Sequence, residues 1–422
     1  LGHVTTRTAA IWLQTAKQST AVVEYWDLRS PAKRLRSTRH TLSVERDFAT
    51  HITLTGLEPG QRYGYRVLLD NAPVKLSESL FFNTQPLWQW RTDPPDFTVY
   101  LGSCAYLNDA PFDRPGKPYG ADYRIFSTIA AAAAANHGQH FMLWLGDNVY
   151  LREADYDSSW GMGYRYRHAR ALPELQKLLR VTHHYAIWDD HDYGPNNSNR
   201  SFVFKDTSLE LFKRYWANPS YGLPDTPGIF GAFSFGDADF FLLDDRYYRA
   251  HDMELADDKT MLGAAQLDWL KQALLQSTAT FKVIANGSQL LNDANDFEGW
   301  NHFLKEREVF IDWLDRERIE GVFFLSGDRH HTELIKRERA NGYPLHELTC
   351  SPLVSGPRTA SEKERNNPQL VAGTTAGQRN FCTLNFTGRN AERAVRVAVF
   401  DSAGAVLWQH NLPLAQMKYP VP

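Results

Sequence analysis

Short runs of alternating apolar and polar residues fill the first 85 residues of the chain. Residues 9–13, 21–26 and 62–67 are such runs, and turn-forming residues separate them. Alternation with a period of two places one face of each strand against a core and the other face in solvent, which is typical of antiparallel sheets. The pattern therefore predicts a small antiparallel β-sandwich over residues 1–85.

The segment 54–63 (LTGLEPGQRY) adds a more specific signature to this predicted sandwich. It resembles the E–F corner of fibronectin type III and immunoglobulin-like domains, in which a leucine anchors the turn, Pro-Gly shapes it and a tyrosine starts the next strand. Modules of this kind are usually rigid spacers. We therefore expect residues 1–85 to carry no catalytic group.

The pattern changes at residue 97, after a linker at 86–95 that contains Trp and Pro. Fully apolar strands now alternate with helical stretches, which predicts an α/β domain over residues 97–422. The predicted strands are 97–103, 140–146, 186–188, 238–243, 281–285 and 321–325, and the predicted helices are 123–136, 267–275 and 309–318. Residues 393–400 and 405–410 flank a turn and predict a closing hairpin.

The composition is that of a large globular chain, with 422 residues of which 43% are hydrophobic. No run of ~18 apolar residues predicts a membrane span, and the formal charge of −3 does not indicate a nucleic-acid partner. The chain contains three cysteines, Cys104, Cys350 and Cys382. Because their number is odd, they cannot all form disulfides within one chain. We therefore expect no disulfide framework, and we expect Cys350 and Cys382 to be core residues. The sequence leaves the oligomeric state open.

Residue types that bind metals follow four of the predicted strands. They are found in the segments 103–104 (SC), 147–150 (DNVY), 189–192 (DDHD) and 328–331 (DRHH). Ligand sites of α/β sheets lie at the carboxyl ends of strands, so we expect these segments to meet at the mouth of one sheet. Carboxylates and a thiolate at that mouth would repel one another unless cations lay between them. The sequence thus predicts a metal centre.

The order of these motifs resembles that of the calcineurin-like metallophosphoesterases. Three departures narrow the resemblance to the alkaline phosphatase D (PhoD-like) family: Ser103-Cys104 stands in place of Asp-x-His, Tyr150 lies three residues after Asp147, and the segment 188–192 (WDDHD) replaces Gly-Asn-His-Glu. The segments 243–249 (LDDRYYR) and 261–270 also resemble that family. The resemblance covers roughly residues 1–420, because the family also carries a β-sandwich ahead of its enzyme domain.

The resemblance implies a four-layer α/β/β/α metallophosphatase sandwich and a mixed centre of Fe³⁺ and Ca²⁺. Thiolate and phenolate donors suit trivalent iron, whereas calcium prefers carboxylate and carbonyl oxygens. Asp147 would bridge the two cations. The implied metal ligands are Cys104, Asp147, Tyr150, Asp190, Asp328 and His330, with Asn196 or Asn197 as an additional calcium ligand.

The implied activity is hydrolysis of small phosphate esters by a metal-activated water, as in an alkaline phosphatase that also acts on diesters. His191, positioned by Asp192, would assist the leaving group. Arg246 and Arg329 would hold the phosphate by charge-assisted hydrogen bonds.

Two alternatives stay open. A phospholipase D-like phosphodiesterase acting on a phospholipid would use the same metal set, and the shape of the entrance, expected from segments 151–180 and 293–302, would distinguish it. A catalytically inactive binding protein on the same fold would lack one or more of the metal-ligating residues, and none of them is missing from the sequence. The chain begins at Leu1, for which a removed export signal is one explanation, and members of the resembled family are often exported. We therefore expect a periplasmic or extracellular location.

Overall fold

The computed structural model describes residues 1–340 and 342–420. Residue 341 and the last two residues of the predicted catalytic domain, 421–422, lie outside the described residues. The first part of the chain forms antiparallel strands. These strands are β1 (Ala9–Gln14), β2 (Ser19–Asp27), β3 (Leu35–Arg36), β4 (His40–Leu42), β5 (Ala49–Leu54), β6 (Arg62–Leu69), β7 (Ala72–Pro73) and β8 (Leu80–Asn83).

The strands β1 and β5 pair with each other and face a second sheet of order β3-β2-β6-β7, to which β4 and β8 add at β2 and β6. Alternate residues such as Ile11, Val23 and Ile52 are buried, as the period-two pattern predicts. The Tyr63 hydroxyl accepts a hydrogen bond from the Glu58 backbone N–H at 2.8 Å. This contact is the tyrosine corner expected from segment 54–63.

Two six-stranded mixed sheets form the second part of the chain. One sheet has the order β11-β10-β9-β18-β19-β20, and the other has the order β12-β13-β14-β15-β17-β16. Their strands are β9 (Phe97–Gly102), β10 (Gln139–Leu145), β11 (His183–Ile187), β12 (Gly231–Phe235), β13 (Ala238–Leu242), β14 (Phe281–Ala285), β15 (Val322–Ser326), β16 (Glu333–Arg337), β17 (Leu345–Thr349), β18 (Asn380–Thr387), β19 (Ala394–Asp401) and β20 (Val406–Pro413).

Helices complete a four-layer α/β/β/α arrangement around these sheets. They are α1 (Arg124–Ala135), α2 (Ser159–Ala171), α3 (Pro173–Val181), α4 (Asp190–Tyr193), α5 (Lys205–Tyr215), α6 (Ala264–Gln276), α7 (Leu304–Arg316) and α8 (Glu362–Arg365). Aromatic rings fill the space between the sheets: Phe141 of β10 packs against Phe235 and Phe240, at centroid distances of 4.7 and 5.1 Å. The predicted strands, helices and closing hairpin are confirmed at these positions.

One expectation about the strand ends is wrong. The strands β9, β10 and β11 are parallel neighbours in the first sheet, but β15 belongs to the second sheet. The polar segments therefore meet between the ends of two facing sheets rather than at the mouth of one. Strands buried on both faces have nearly continuous apolar sequences, which do not reveal the sheet to which they belong.

The expectation about the cysteines also needs correction. Cys350 and Cys382 form a disulfide that joins the residue after β17 to strand β18, and Cys104 is a buried free thiol. An odd count excludes complete pairing, but it does not exclude one bond. In the described part of the chain, no helix combines the length and the apolar character needed to cross a membrane.

Candidate metal centre

The polar segments begin where buried strands end, and their backbones turn sharply there. Cys104 follows β9, Asp147 follows β10, and Asp328 and His330 follow β15, and each of the four has a φ between 54° and 62°. Residues other than glycine rarely adopt this left-handed conformation, and it costs about 1–3 kcal/mol per residue. Such strain, repeated at four neighbouring positions, is typical of a functional site.

The first group of donor atoms contains a thiol, a carboxylate and an imidazole. Cys104, Asp147 and His330 are buried, and one ligand atom from each lies within 4.8 Å of the other two. The Tyr150 hydroxyl joins them, at 2.8 Å from Asp147 Oδ2 and 3.3 Å from His330 Nε2. Four of the residues predicted as metal ligands are therefore brought together.

A second donor group shares Asp147 with the first. Asp147, Asp190 and His191 each place a ligand atom within 4.8 Å of the others. The His191 backbone N–H donates to Asp190 Oδ1 at 2.9 Å and lies 3.3 Å from Asp147 Oδ1. One carboxylate, that of Asp147, therefore belongs to both donor groups.

The segment after β17 supports this centre, and sequence reasoning missed it. Ser351 Oγ lies 3.1 Å from Cys104 Sγ, and Ser355 Oγ lies 3.2 Å from the Tyr150 hydroxyl oxygen. His330 Nδ1 lies 2.7 Å from the Gly356 carbonyl oxygen, so Nδ1 carries the hydrogen and Nε2 keeps its lone pair for a ligand. The available signal was the polar sequence 349–351 (TCS) at the end of another buried strand.

The charges of this cluster fit bound cations. Burial raises the pKa of Asp147 well above its usual range, and the neighbouring Asp190 and Cys104 raise it further. Burial also raises the pKa of the Cys104 thiol to about 11. The pKa of Tyr150 is raised by burial and, in addition, by the negative charge of Asp147. These groups are costly to ionise together without positive charge between them. The donor set therefore fits metal ions, which replace the protons.

The comparison with family models decides the identity of this arrangement. Residues 99–396, which make up most of the chain, match the model described as PhoD-like phosphatase. The chain belongs to the PhoD-like phosphatase family. The resemblance inferred from the motifs is thereby confirmed. Residues 1–86 match a separate model, described as a domain of unknown function (DUF7800).

Relatives of this PhoD-like chain agree with that assignment. Alkaline phosphatase D of Bacillus subtilis (strain 168) is 27% identical over 337 residues, which are 67% of this chain and 53% of that protein. The chain thus spans about half the length of this curated relative.

Two solved structures share the fold. The structure of PhoD aligns with a TM-score of 0.76 at 17% identity, over 97% of this chain and 90% of that one. The purple acid phosphatase PPD1 from yellow lupin (Lupinus luteus) seeds aligns with a TM-score of 0.69 at 10% identity, over 98% of this chain and 73% of that one. These likenesses confirm the predicted metallophosphatase sandwich fold.

Three further predicted residues of the PhoD-like site lie beside the donor groups. The Asp192 carboxylate accepts hydrogen bonds from the backbone N–H groups of Asn148 and Asp189 at 3.0 and 3.1 Å. It therefore fixes two loops, and the predicted contact that orients the His191 ring is not formed.

Asp328 places its carbonyl oxygen 3.6 Å from Cys104 Sγ, and its side chain is 20% exposed. Asn196 is exposed and donates to the side chain of Asn197, whose backbone N–H donates to Asp190 Oδ2 at 2.7 Å. The structure thus brings Asp328 to the edge of the centre and leaves the Asn196 side chain outside both donor groups.

The predicted phosphate-binding arginines have other partners. Arg246 is fully buried; its Nε donates to Asp189 Oδ1 and its Nη1 to Glu298 Oε2, both at 2.7 Å, and its Nη2 also donates to Asp189. Because every nitrogen of Arg246 is engaged, direct phosphate binding by Arg246 is contradicted. Arg329 is buried as well and pairs with Glu364.

Three side chains that the sequence did not single out as site residues, Phe297, Arg358 and Tyr119, lie beside Arg329 and His330. The guanidinium of Arg329 lies 4.5 Å from the ring centre of Phe297, and that of Arg358 lies 5.4 Å from it. Phe297 is 48% exposed and belongs to the segment 293–302 expected to shape the entrance, whereas Trp300 of the same segment is buried. The Tyr119 hydroxyl lies 3.0 Å from His330 Nδ1.

Proposed function

We propose that this protein is a metal-dependent hydrolase of phosphate esters, as its family membership indicates, and that it accepts both monoesters and diesters. The observation that carries the proposal is the single Asp147 carboxylate shared by two groups of donor atoms. A pair of cations held by a shared ligand is the arrangement that phosphoryl-transfer enzymes use to act on both sides of the phosphorus.

The donor types support one assignment of the two metals. Cys104, Tyr150 and His330 offer the thiolate, phenolate and imidazole that suit Fe³⁺. Asp190 and Asp328 offer carboxylate oxygens that suit Ca²⁺, and Asp147 serves both. Cations held there would withdraw charge from the phosphoryl oxygens and would lower the pKa of water at the site.

His191 supplies the proton to the leaving oxygen in this proposal. It is the partly exposed member of the donor groups. Its ring stacks on Tyr150 at a centroid distance of 4.2 Å, which fixes its orientation, and its buried Nδ1 has no hydrogen-bond partner among the described residues. Asp192 and Arg246 position this machinery: Asp192 holds the loop backbones, and Arg246 neutralises Asp189 behind them.

Diester hydrolysis, including the phospholipase D-like alternative, is favoured by one observation. The exposed ring of Phe297 lies near the guanidinium groups of Arg329 and Arg358, and Arg329 follows Asp328 in the chain. An organic substituent on the phosphate would find apolar contact there, which a bare monoester does not need. We infer that Phe297→Ala lowers kcat/KM for bis(p-nitrophenyl) phosphate and for a phosphatidylcholine more than for p-nitrophenyl phosphate. Equal losses for all substrates would contradict this role.

An exported location is proposed on the disulfide between Cys350 and Cys382. Disulfides form and persist mainly in oxidising compartments. Fractionation of the native host, with assay of the periplasm or medium against the cytoplasm, tests this location.

Elemental analysis with visible absorption spectroscopy tests the metal assignment. We expect iron and calcium in the purified protein, and a phenolate-to-iron charge-transfer band that disappears in Tyr150→Phe. Tyr106→Phe is the matched control, because its ring lies next to Tyr150 at 5.1 Å but outside the donor groups. Stoichiometric zinc without such a band would overturn the iron assignment.

A further inference from the structure

A large cavity lies between the β-sandwich and the helices α2 and α3, and none of its lining residues belongs to the metal centre. Its volume is about 790 Å³, which is within the range of small-molecule sites. Strands β1 and β6 of the sandwich form one wall, and helices α2 and α3 form the opposite wall. The two parts of the chain therefore enclose a site that neither forms alone.

The sandwich wall of this cavity is mainly apolar, and Gln14, Thr15 and Asp47 are its polar members. Leu13 comes from β1, and Val67 and Leu69 come from β6. Val74 and Leu76 extend the apolar surface to the opening, where they are 37% and 39% exposed. Apolar surface of this extent inside a domain interface is typical of a site for an apolar ligand.

The opposite wall carries a positively charged group without a counter-ion. The Arg170 guanidinium lies over the rings of both Trp12 and Trp216, at 5.0 and 4.3 Å from their centres. It donates one hydrogen bond, to the Tyr215 carbonyl oxygen at 2.8 Å. Among residues 1–340 and 342–420, no carboxylate forms an ion pair with it.

The other two arginines of the lining are neutralised, which sets Arg170 apart. Arg167 pairs with Asp47 at 2.9 Å, and Arg180 pairs with Glu78 at 3.1 Å. Burial lowers the pKa of Arg170 to about 10, so the guanidinium stays charged at neutral pH. Arg170 is half-buried, and a charge partly removed from bulk water without an anionic partner is unfavourable. A ligand anion would supply the missing partner.

We propose that this cavity binds a single-chain amphiphile, with its anionic head group against Arg170 and its hydrocarbon chain along the apolar wall of β1 and β6. The two tryptophans that hold the guanidinium orient its free N–H groups, and a planar guanidinium suits a carboxylate or phosphate head. This binding site is independent of the hydrolysis proposed for the metal centre.

Isothermal titration calorimetry with decanoate, 1-decanol and acetate tests the proposal on the whole chain. We expect decanoate to bind with one molecule per chain, and the neutral alcohol and the chainless anion to bind at least about tenfold more weakly. No binding of decanoate, or equal affinity for decanoate and decanol, would overturn the proposal.

Variants separate the head group from the chain. Arg170→Met removes the charge at similar length and should weaken decanoate about 10- to 100-fold while leaving decanol unchanged. Arg34→Met is the matched control, because Arg34 also stacks on a sandwich tryptophan, Trp26, at 3.6 Å but lies outside the cavity. Unchanged decanoate affinity in Arg170→Met would refute the role of Arg170.

A cavity-filling variant keeps the test decisive if Arg170→Met does not fold. Leu69→Trp fills the apolar wall and should abolish binding of decanoate, with circular dichroism confirming the native fold. Binding of decanoate retained by folded Leu69→Trp would show that the ligand sits elsewhere and would reject the site.

Discussion

The metal centre and the cavity beside the sandwich represent two ways of keeping charge inside one chain. The metal centre collects negative groups, such as Asp147 on a strained turn after β10 and Asp190 at the start of helix α4. The cavity places the cation of Arg170, from helix α2, against the rings of Trp12 and Trp216. In both regions the uncompensated charge indicates the ligand: cations in the first and an anion in the second. This comparison between the two regions is tested by variants that remove charge from one region and leave the other region unchanged.

The largest effect is expected from Asp147→Asn. Because both donor groups share Asp147, the substitution should reduce the occupancy of both metals and lower kcat/KM for phosphate esters by ~10³ or more. In the metal-free protein the same change should stabilise the fold, since it removes a buried like-charge repulsion. Elemental analysis, steady-state kinetics and urea denaturation of the apo-protein measure the three effects.

Asp70→Asn is the matched control for Asp147→Asn. Asp70 also has a left-handed backbone, with φ 49°, but it lies on an exposed hairpin of the sandwich, where its Oδ1 accepts from the Thr20 N–H at 2.8 Å. Metal content and kinetics of Asp70→Asn should equal those of the wild type. Activity within tenfold of the wild type in Asp147→Asn, at full metal content, would contradict the bridging role.

Substitution of two buried arginines distinguishes effects on the stability of the fold from effects on metal binding. Arg246 pairs with Asp189 and Glu298 behind the metal centre, and Arg393 pairs with Asp237 at 2.6 Å elsewhere in the fold. Replacing either by Met leaves buried carboxylates unpaired and should cost about 3–5 kcal/mol of unfolding free energy. Only Arg246→Met should also weaken metal binding, by about 10- to 100-fold.

Chemical denaturation and competition with a metal chelator measure these two quantities. Equal metal affinity in Arg246→Met and Arg393→Met would show that the pair with Asp189 serves the fold alone.

The disulfide connects the stability of the fold to the segment that supports the metal centre. It closes a loop with a sequence separation of 32, so the double variant Cys350→Ser/Cys382→Ser should lose about 3–4 kcal/mol of unfolding free energy. Urea denaturation compares the variant with the wild type, and thiol titration of the denatured wild type should count one free thiol per chain. Three free thiols would refute the bond.

Much of the metal centre was predictable from the sequence, because its ligands follow apolar strands within a few residues. Cys104, Asp147, Asp190 and His330 were found in this way. The role of Arg246 was not predictable, since an arginine beside a motif gives no sign of which carboxylates it will meet after folding. The support from Ser351 depends on contacts between distant segments, which have no local pattern.

The sandwich region shows the same limit on a larger scale. Alternation predicted its strands, and the corner at 54–63 predicted its type of domain. The cavity, however, exists only where β1 and β6 face α2 and α3, and no residue pattern within either part indicates that packing. The disulfide was missed for a related reason, because counting cysteines does not show which of them lie close in space.

The smallest effect concerns the pH dependence of the contact between the sandwich and the first sheet. His183 of β11 is 5% exposed; its Nδ1 lies 2.7 Å from the Gly2 carbonyl oxygen, and burial lowers its pKa to about 3. In the unfolded chain a histidine has a pKa of about 6.5. The unfolded state therefore binds more protons below that value, and stability falls as the pH decreases from about 6.5 towards 3. Between pH 7 and pH 5 this group alone should cost about 2 kcal/mol.

His183→Asn retains an N–H for the Gly2 carbonyl oxygen and removes the titrating ring. Urea denaturation at pH 7 and pH 5 should show a smaller loss of stability on acidification in this variant than in the wild type, by about 2 kcal/mol. The exposed His137 provides the control His137→Asn, which should keep the wild-type pH dependence. An unchanged pH dependence in His183→Asn would mean that other groups, such as His140 with its pKa lowered by burial to about 4, carry the acid sensitivity of this contact.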